Sequence, residues 1–501
     1  MLNKSQINNL NKLGKSVDQA NRHLQQIARG VPYLKGFSPA TIENKGIRIL
    51  SKEKQLYAIE KFSCSTQKNK WVKFVPASGA ASRMFAHIYS YLDNQKKTDF
   101  DFDTYLKQFP KLAHLTTQLT RLPFFELINN HIPKHIRKES SYSSQKYLNH
   151  FFDLLINNKQ IGYGHLPKGL IPFFRQNKKF YTPFEAHILE SIDLFNSSKD
   201  IDLHFTIDQK FVDLFWKFEN NLSNRYNQNI LTTYSFQDTH TDSPVLNMKD
   251  QWIKDTKGDF LFRKAGHGAL IKNLNAIDAD FVLIKNIDNI QLGQSNQSTL
   301  YWLKVICGTI IEIKTEINSC LHHLEQNVNQ NTLCKAHDII KRYFDPNFQM
   351  GNYTDLQKFH LLNQYLDRPL RVCAMIKASG NPGGGPFWNI LDNRLSLEIF
   401  ESIEFSLDDK LHQSLTSKST HFNPVMMACA IRDPKGEKYN LEQFSNSERY
   451  MIVNKTLGGQ KIKAIEWPGL WNGGMSKWNT LFTEIPASTF NPVKTLSDII
   501  R

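Results

Sequence analysis

The chain has 501 residues, 40% hydrophobic and 12% aromatic, which is ample for a large buried core and excludes a disordered polymer. Lysine and arginine number 62 against 47 acids, for a net charge of +15. That excess is spread along the chain rather than gathered into the stripe a nucleic-acid binder presents, and no run approaches the roughly 18 apolar residues of a membrane-spanning helix, so neither nucleic acid nor membrane is an expected partner and a phosphate-rich small molecule is.

The start, "MLNKSQINNLNKLGK", is polar and has no apolar signal core. Six cysteines (Cys64, Cys307, Cys320, Cys334, Cys373, Cys429) are scattered without a CxxC pair, so reduced, mostly buried thiols and a cytoplasmic location are expected. Residues 1–70 read as a helical segment, with Leu10, Leu13, Val17 and Leu24 near a 3.6-residue period. Val72–Val75 reads as a strand, followed by the small-residue turn "PASGAASR" and the helical spacing of "RMFAHIYSYL". Residues 86–160, rich in Leu, Phe, Lys and Asn, read as a helical insertion in which "KYLNHFFDLLI" is amphipathic. After the loop "GYGHLPKGLIPFF", "TPFEAHILESIDLF" predicts a helix with Thr182 as N-cap and Pro183 in its first turn. "LHFTI" and "ILTTYSF" read as strands on either side of the helix "FVDLFWKFENNL". Gly266-His267-Gly268 opens a helix over Ala269–Leu274, and Asp280–Asp288 is nearly all apolar, as a strand buried on both faces of a parallel sheet is.

Strand–helix alternation over residues 71–295, the insertion set aside, predicts an α/β nucleotide-binding core with a Rossmann-like, doubly wound, mainly parallel sheet. Residues 296–370 return to helix. Residues 371–501 form a mixed α/β region on the substrate side, with the strand "RVCAMIK" and the glycine-dense "ASGNPGGGPFW".

In open α/β sheets ligands sit at the carboxyl ends of strands, where helix N-termini offer free N–H groups. The "PASGAASR" turn stands at such a place, and is either a tight structural turn or a phosphate loop to which Arg83 adds a forked positive charge. Asp288 ends a buried strand and is either a helix cap or a Mg²⁺ ligand of the usual kind, one or two carboxylates completed by substrate oxygens. Gly383–Gly385 is a surface loop or a second phosphate or sugar contact, and Trp471 and Trp478 stack on a ligand or pack in the core.

Ala77-Ser78-Gly79-Ala80-Ala81-Ser82-Arg83-Met84 resembles the "AGxGTRM" signature of the UDP-sugar pyrophosphorylases, nucleotidyltransferases of the nucleotide-diphospho-sugar transferase type. Gly266-His267-Gly268, Asn286-Ile287-Asp288-Asn289, Leu166-Pro167-Lys168 and the C-terminal "FNPVK" are similar to further segments of that family, in the same order over residues 72–494. The whole chain also resembles an uncharacterised bacterial family of about 500 residues, known only as a domain of unknown function. The resemblance implies a Mg²⁺-dependent enzyme that joins a UTP-like nucleoside triphosphate to a phosphorylated sugar and releases pyrophosphate. It assigns Ala77, Ser78, Gly79 and Ala80 to the triphosphate, Gln237, Gly266 and His267 to the base, and Arg83, Lys168 and Lys494 to phosphate charge, with Asp288 on the metal. A sugar-contacting "NaG" segment is missing, and Gly380–Trp388, with Gly384 and Gly385, is expected to stand in for it. Two departures accompany the match: Ala81 replaces the second signature glycine, and Lys168 follows the insertion instead of following the loop closely. A non-catalytic binder of sugar nucleotide or phosphate, and a glycosyltransferase-type enzyme, are the alternatives on the same fold.

Overall fold

Trp71–Pro76 and Phe281–Lys285 carry almost no polar alternation because they are neighbouring parallel strands inside an eight-stranded sheet, covered on both faces. The protein is described from a computed structural model covering residues 2–79, 81–196, 200–223, 229–378, 384–406, 408–457 and 460–500. Across the sheet the order is His421–Phe422, Leu370–Lys377, Met426–Ala430, Phe281–Lys285, Trp71–Pro76, Asp200–Ile207 and Asn229–Phe236, with Asn479–Glu484 also beside Leu370–Lys377. Neighbours from Phe281–Lys285 to Asn229–Phe236 are parallel, as are Leu370–Lys377 and Asn479–Glu484. Met426–Ala430 runs antiparallel to both of its neighbours, a departure from a simple doubly wound order. The two reversals cancel, so Leu370–Lys377 points the same way as Phe281–Lys285 and their carboxyl ends share one edge of the sheet.

One face is covered by Pro183–Leu194 and the 30-residue helix Gln297–Gln326, packed with Gln330–Tyr343 and Asp355–Leu366 into the largest hydrophobic cluster. The long helix crosses Lys52–Ser65 so closely that a Cβ on Gly308 would lie 1.7 Å from the Ala58 carbonyl oxygen. The other face is packed by Ile271–Ala276 together with Trp388, Trp471 and Trp478. Thr182 caps Pro183–Leu194 as its sequence predicts, its Oγ1 accepting from Glu185 N at 3.2 Å. The run of helices from Ala86–Asn94 to Gln145–Asn157 has a core of its own, into which Val493, Leu496 and Ile500 of the C-terminus are packed.

Several elements differ from the sequence reading. The N-terminal period spans two helices, Lys4–Lys12 and Val17–Arg29, separated at Gly14, whose φ of +63° ends the first. The same segment holds a short strand, Phe37–Pro39, because its partner Gly385–Leu391 lies 350 residues away and leaves no local trace. The cysteines are mostly buried as expected: Cys307, Cys320, Cys373 and Cys429 are buried, and Cys64 and Cys334 are exposed on the outward sides of their helices. Among the described residues no helix is long and apolar enough to cross a membrane.

Candidate functional site

The Trp71–Pro76 strand ends at a proline, and the chain leaves the sheet with Ala77 N donating to Thr206 O at 2.8 Å. Small residues follow as far as the single 3₁₀ turn Ala81–Arg83. Gly79 is exposed, and a Cβ built on it would meet no atom within 4 Å. Among the described residues nothing therefore demands a glycine there, and the backbone stands bare toward solvent. Ser78 is half-buried and Ala77 buried; Ala80 lies outside the described residues.

Lys168 stands in the 3₁₀ turn Lys168–Leu170, beyond the helical insertion in sequence but beside this loop in space, its N–H directed at Gly79 O at 3.5 Å. Its ammonium donates to Asp288 Oδ2 at 2.8 Å. Asp288 comes just after Phe281–Lys285, where parallel pairing has stopped and the C-terminal strip takes over: Val493 N donates to Asp288 O at 3.0 Å and Asn491 N to Asn289 Oδ1 at 3.0 Å. That pairing delivers Lys494, whose Nζ reaches the same Asp288 Oδ2 at 3.0 Å. Arg83, exposed on the loop, is close enough for its charge to act on Lys168.

Arg83, Lys168, Asp288 and Lys494 thus meet at the carboxyl edge of the sheet, although 411 positions separate the first from the last. Three cations face Asp288, with Asp498 beside Lys494, its Oδ2 accepting from Lys494 N at 2.8 Å, so positive charge is in excess. Burial alone would raise the Asp288 carboxyl, but Lys168 and Lys494 hold it below the ordinary range. Lys168 is pushed the other way: burial, aided by Lys494 and Arg83, lowers it in spite of Asp288. Asp288 is buried, and its Oδ1 has no hydrogen-bond partner among the described residues, so one carboxylate oxygen stays open while the other carries both lysines.

Gly266 has φ +76°, and a Cβ there would lie 2.7 Å from Glu466 Oε2. His267 follows, stacked on Trp471 with centroids 4.2 Å apart and planes at 17°. Its Nδ1 accepts from Leu470 N at 3.1 Å, which assigns the proton to Nε2, facing Glu401 Oε1 at 3.6 Å. Trp471 serves this stack, while Trp478 is wholly buried in the core. Gln237 donates to Thr241 Oγ1 at 3.2 Å, just beyond the Asn229–Phe236 strand to which Asn273 of the Gly-His-Gly helix is bonded. Gly384 and Gly385 are packed by the protein itself: added Cβ atoms would meet Ile399 Cγ2 at 2.5 Å and Phe387 Cε2 at 2.9 Å. Gly384 lies near Asn472 rather than in the Asp288 cluster, and Gly383 is outside the described residues.

Sequence reasoning missed the charges beneath the site. Lys73 and Lys285, from adjacent strands, donate to Glu190 Oε1 at 2.8 Å and Oε2 at 2.5 Å, all three fully buried. Lys285 leads directly into the 286–289 segment. The signal was present, since both lysines interrupt runs that are otherwise apolar and Glu190 sits on a helix buried almost all round.

A family model described as "Domain of unknown function (DUF4301)" matches residues 3–501. No functionally curated protein matches the chain. Among solved structures, it is similar to the uridine diphosphate N-acetylglucosamine pyrophosphorylase of Trypanosoma brucei at 10% identity, covering 96% of this chain and 74% of that one with a TM-score of 0.48. It is also similar to a UDP-glucose pyrophosphorylase variant of Leishmania major in complex with UDP-glucose, at 10% identity, covering 100% and 79% with a TM-score of 0.45.

Proposed function

The chain belongs to the DUF4301 family, and we propose that its site joins a nucleoside triphosphate, UTP-like, to a sugar 1-phosphate with release of pyrophosphate. The observation that carries this reading is the meeting of Lys168 and Lys494 on one oxygen of Asp288, with Arg83 and the bare Gly79 loop alongside. In the reaction a sugar phosphate oxygen attacks the α-phosphorus, a new P–O bond forms, and the bond to the departing pyrophosphate breaks. Such a step needs positioning and charge neutralisation more than covalent help from the protein. The excess of positive charge answers that need. The Gly79 loop admits the phosphates, Arg83 and Lys168 meet their oxygens, and Lys494 faces the same anion from the C-terminal strip. Gly266 and His267 lie against the base, and Gln237 is the third residue assigned to it.

Mg²⁺ fits Asp288, whose Oδ1 is buried and open. Bound there, it would supply further neutralisation of phosphate charge. Gly384 and Gly385 are retained as the sugar-side candidates.

The test is a panel of nucleoside triphosphates and sugar 1-phosphates, assayed with Mg²⁺ for pyrophosphate release. Turnover with at least one pair is expected. Nucleotide binding without turnover of any pair would leave a non-catalytic binding protein, and sugar transfer from a preformed sugar nucleotide would make it a glycosyltransferase.

A further inference from the structure

The two parallel strands Leu370–Lys377 and Asn479–Glu484 begin side by side, Leu370 opposite Asn479. Both point the same way as Phe281–Lys285, so their beginnings lie on the edge of the sheet away from Asp288. The eight residues of Leu370–Lys377 span about 26 Å at ~3.3 Å per residue. Just ahead of the two strands stand Arg368 on one side and Ser476 and Lys477 on the other, and Arg394 enters from the strand Arg394–Phe400. With Tyr365 and Asp345 they line a cavity of about 450 Å³.

The cations here are held by neutral groups. Arg368 donates from Nε to Gln364 O at 2.9 Å and from Nη1 to Lys477 O at 3.2 Å. Arg394 donates to Asn479 Oδ1, and its guanidinium lies 3.8 Å from the Tyr365 ring centroid. Neither arginine forms an ion pair among the described residues, and Lys477 reaches only the exposed Asp392, at 3.9 Å. Burial and the charge of Arg394 press Arg368 down to about 10. The lining also holds two acids: Asp345, raised by burial and drawn back by Arg394, and Asp392, whose charge acts on Arg368. Two donors in the lining are unused: Ser476, 1% exposed, has no partner for Oγ, and the buried Arg394 Nε has none either.

Three cations outnumber the two acids of this lining, and neither arginine is ion-paired among the described residues, an arrangement suited to an anion; forked guanidinium groups with a hydroxyl match the oxygens of a phosphate. We infer that this cavity is a second anion site, remote from Asp288, that binds a dianionic phosphate group, either free or on a small ester. The site stands independently of the reading given to Asp288, because no residue is shared.

Hydrogen exchange on the full chain tests it, with inorganic phosphate and ribose 5-phosphate as probes. Saturating probe is expected to slow exchange at least threefold in residues 364–369, 391–396 and 476–479, whatever happens at residues 77–83. Lys477→Ala, at a partly exposed side chain, should weaken this protection at least fivefold, and Arg394→Gln should abolish it. Stronger protection by the ester identifies a phosphomonoester as the ligand, and equal protection identifies free phosphate. No protection by either probe, or protection unchanged in Lys477→Ala, overturns the site.

Discussion

Asp288 is the residue on which the site depends, because both lysines use one of its oxygens and leave the other open. Asp288→Asn keeps the shape and removes the charge. Pyrophosphate release should fall by roughly 10²–10³-fold, the scale of losing one electrostatic contact in an active site, while circular dichroism stays unchanged. Unaltered rates would remove Asp288 from the mechanism. Lys168 gives a pH prediction. Burial lowers it, so it loses its proton at a lower pH than an ordinary lysine near ~10.4. Activity should decline on the alkaline side before that value is reached, and Lys168→Arg, whose charge persists, should carry the decline to higher pH. A pH–rate profile with the same alkaline limb in both proteins would show that another group titrates. Residue identities at this scale were largely legible, since Arg83, Lys168, Asp288 and Lys494 were all singled out from short motifs. Glu401 beside His267 was not, because a lone glutamate after a strand has no spacing to mark it.

At the scale of elements, the buried Lys73–Glu190–Lys285 group ties two central strands to the helix Pro183–Leu194. Burial would raise Glu190, but Lys285 and Lys73 draw it far below the ordinary carboxylate range, and burial brings Lys73 down to about 8. Glu190→Gln strands two ammonium groups in the core and should destabilise the fold by about 3–5 kcal/mol, read from urea midpoints. A cost under 1 kcal/mol would mean the group has another counter-charge. Burial also keeps histidines neutral, among them His204 on the strand Asp200–Ile207 and His23 on the helix Val17–Arg29. His204 bridges to Thr233 and Ser235 at 2.8 and 2.7 Å and is lowered to about 4 by burial, and His23 is lowered to about 4 by burial and Arg22. In the unfolded chain each takes its proton near ~6.5. The stabilisation from keeping them neutral is therefore complete above that pH and is lost as pH falls toward 4, by up to about 3 kcal/mol each. Urea midpoints should drop over that window, and His204→Gln should flatten the drop. A lysine inside an otherwise apolar strand marks a buried charge in the sequence, but which acid meets it is decided only when the helix packs on the sheet.

At the scale of the whole molecule, the C-terminus ties the helical insertion to the central sheet. Residues 491–494 pair with 288–289 and carry Lys494 to the site, and Val493, Leu496 and Ile500 fill the core of the helical insertion. Truncation after Pro492 should increase hydrogen exchange and proteolysis across residues 86–157 while the central sheet keeps its protection, and it should lower activity through loss of Lys494. Equal protection throughout would show that the insertion stands alone. The sequence by itself determined the local elements: the buried strand at 72–75 and the one within 280–288, which ends at Lys285, the capped helix at Thr182, the helical character of 86–157, and a glycine-poor turn with one arginine. These follow from periodicity and capping, which act over a few residues. Only the tertiary structure decided that Met426–Ala430 enters the sheet antiparallel, that Phe37–Pro39 becomes a strand, and that four charges from positions 83 to 494 share one edge while three others gather at the opposite one. Strand pairing and charge convergence are made between segments hundreds of residues apart, and the energy that selects them exists only after the chain has packed.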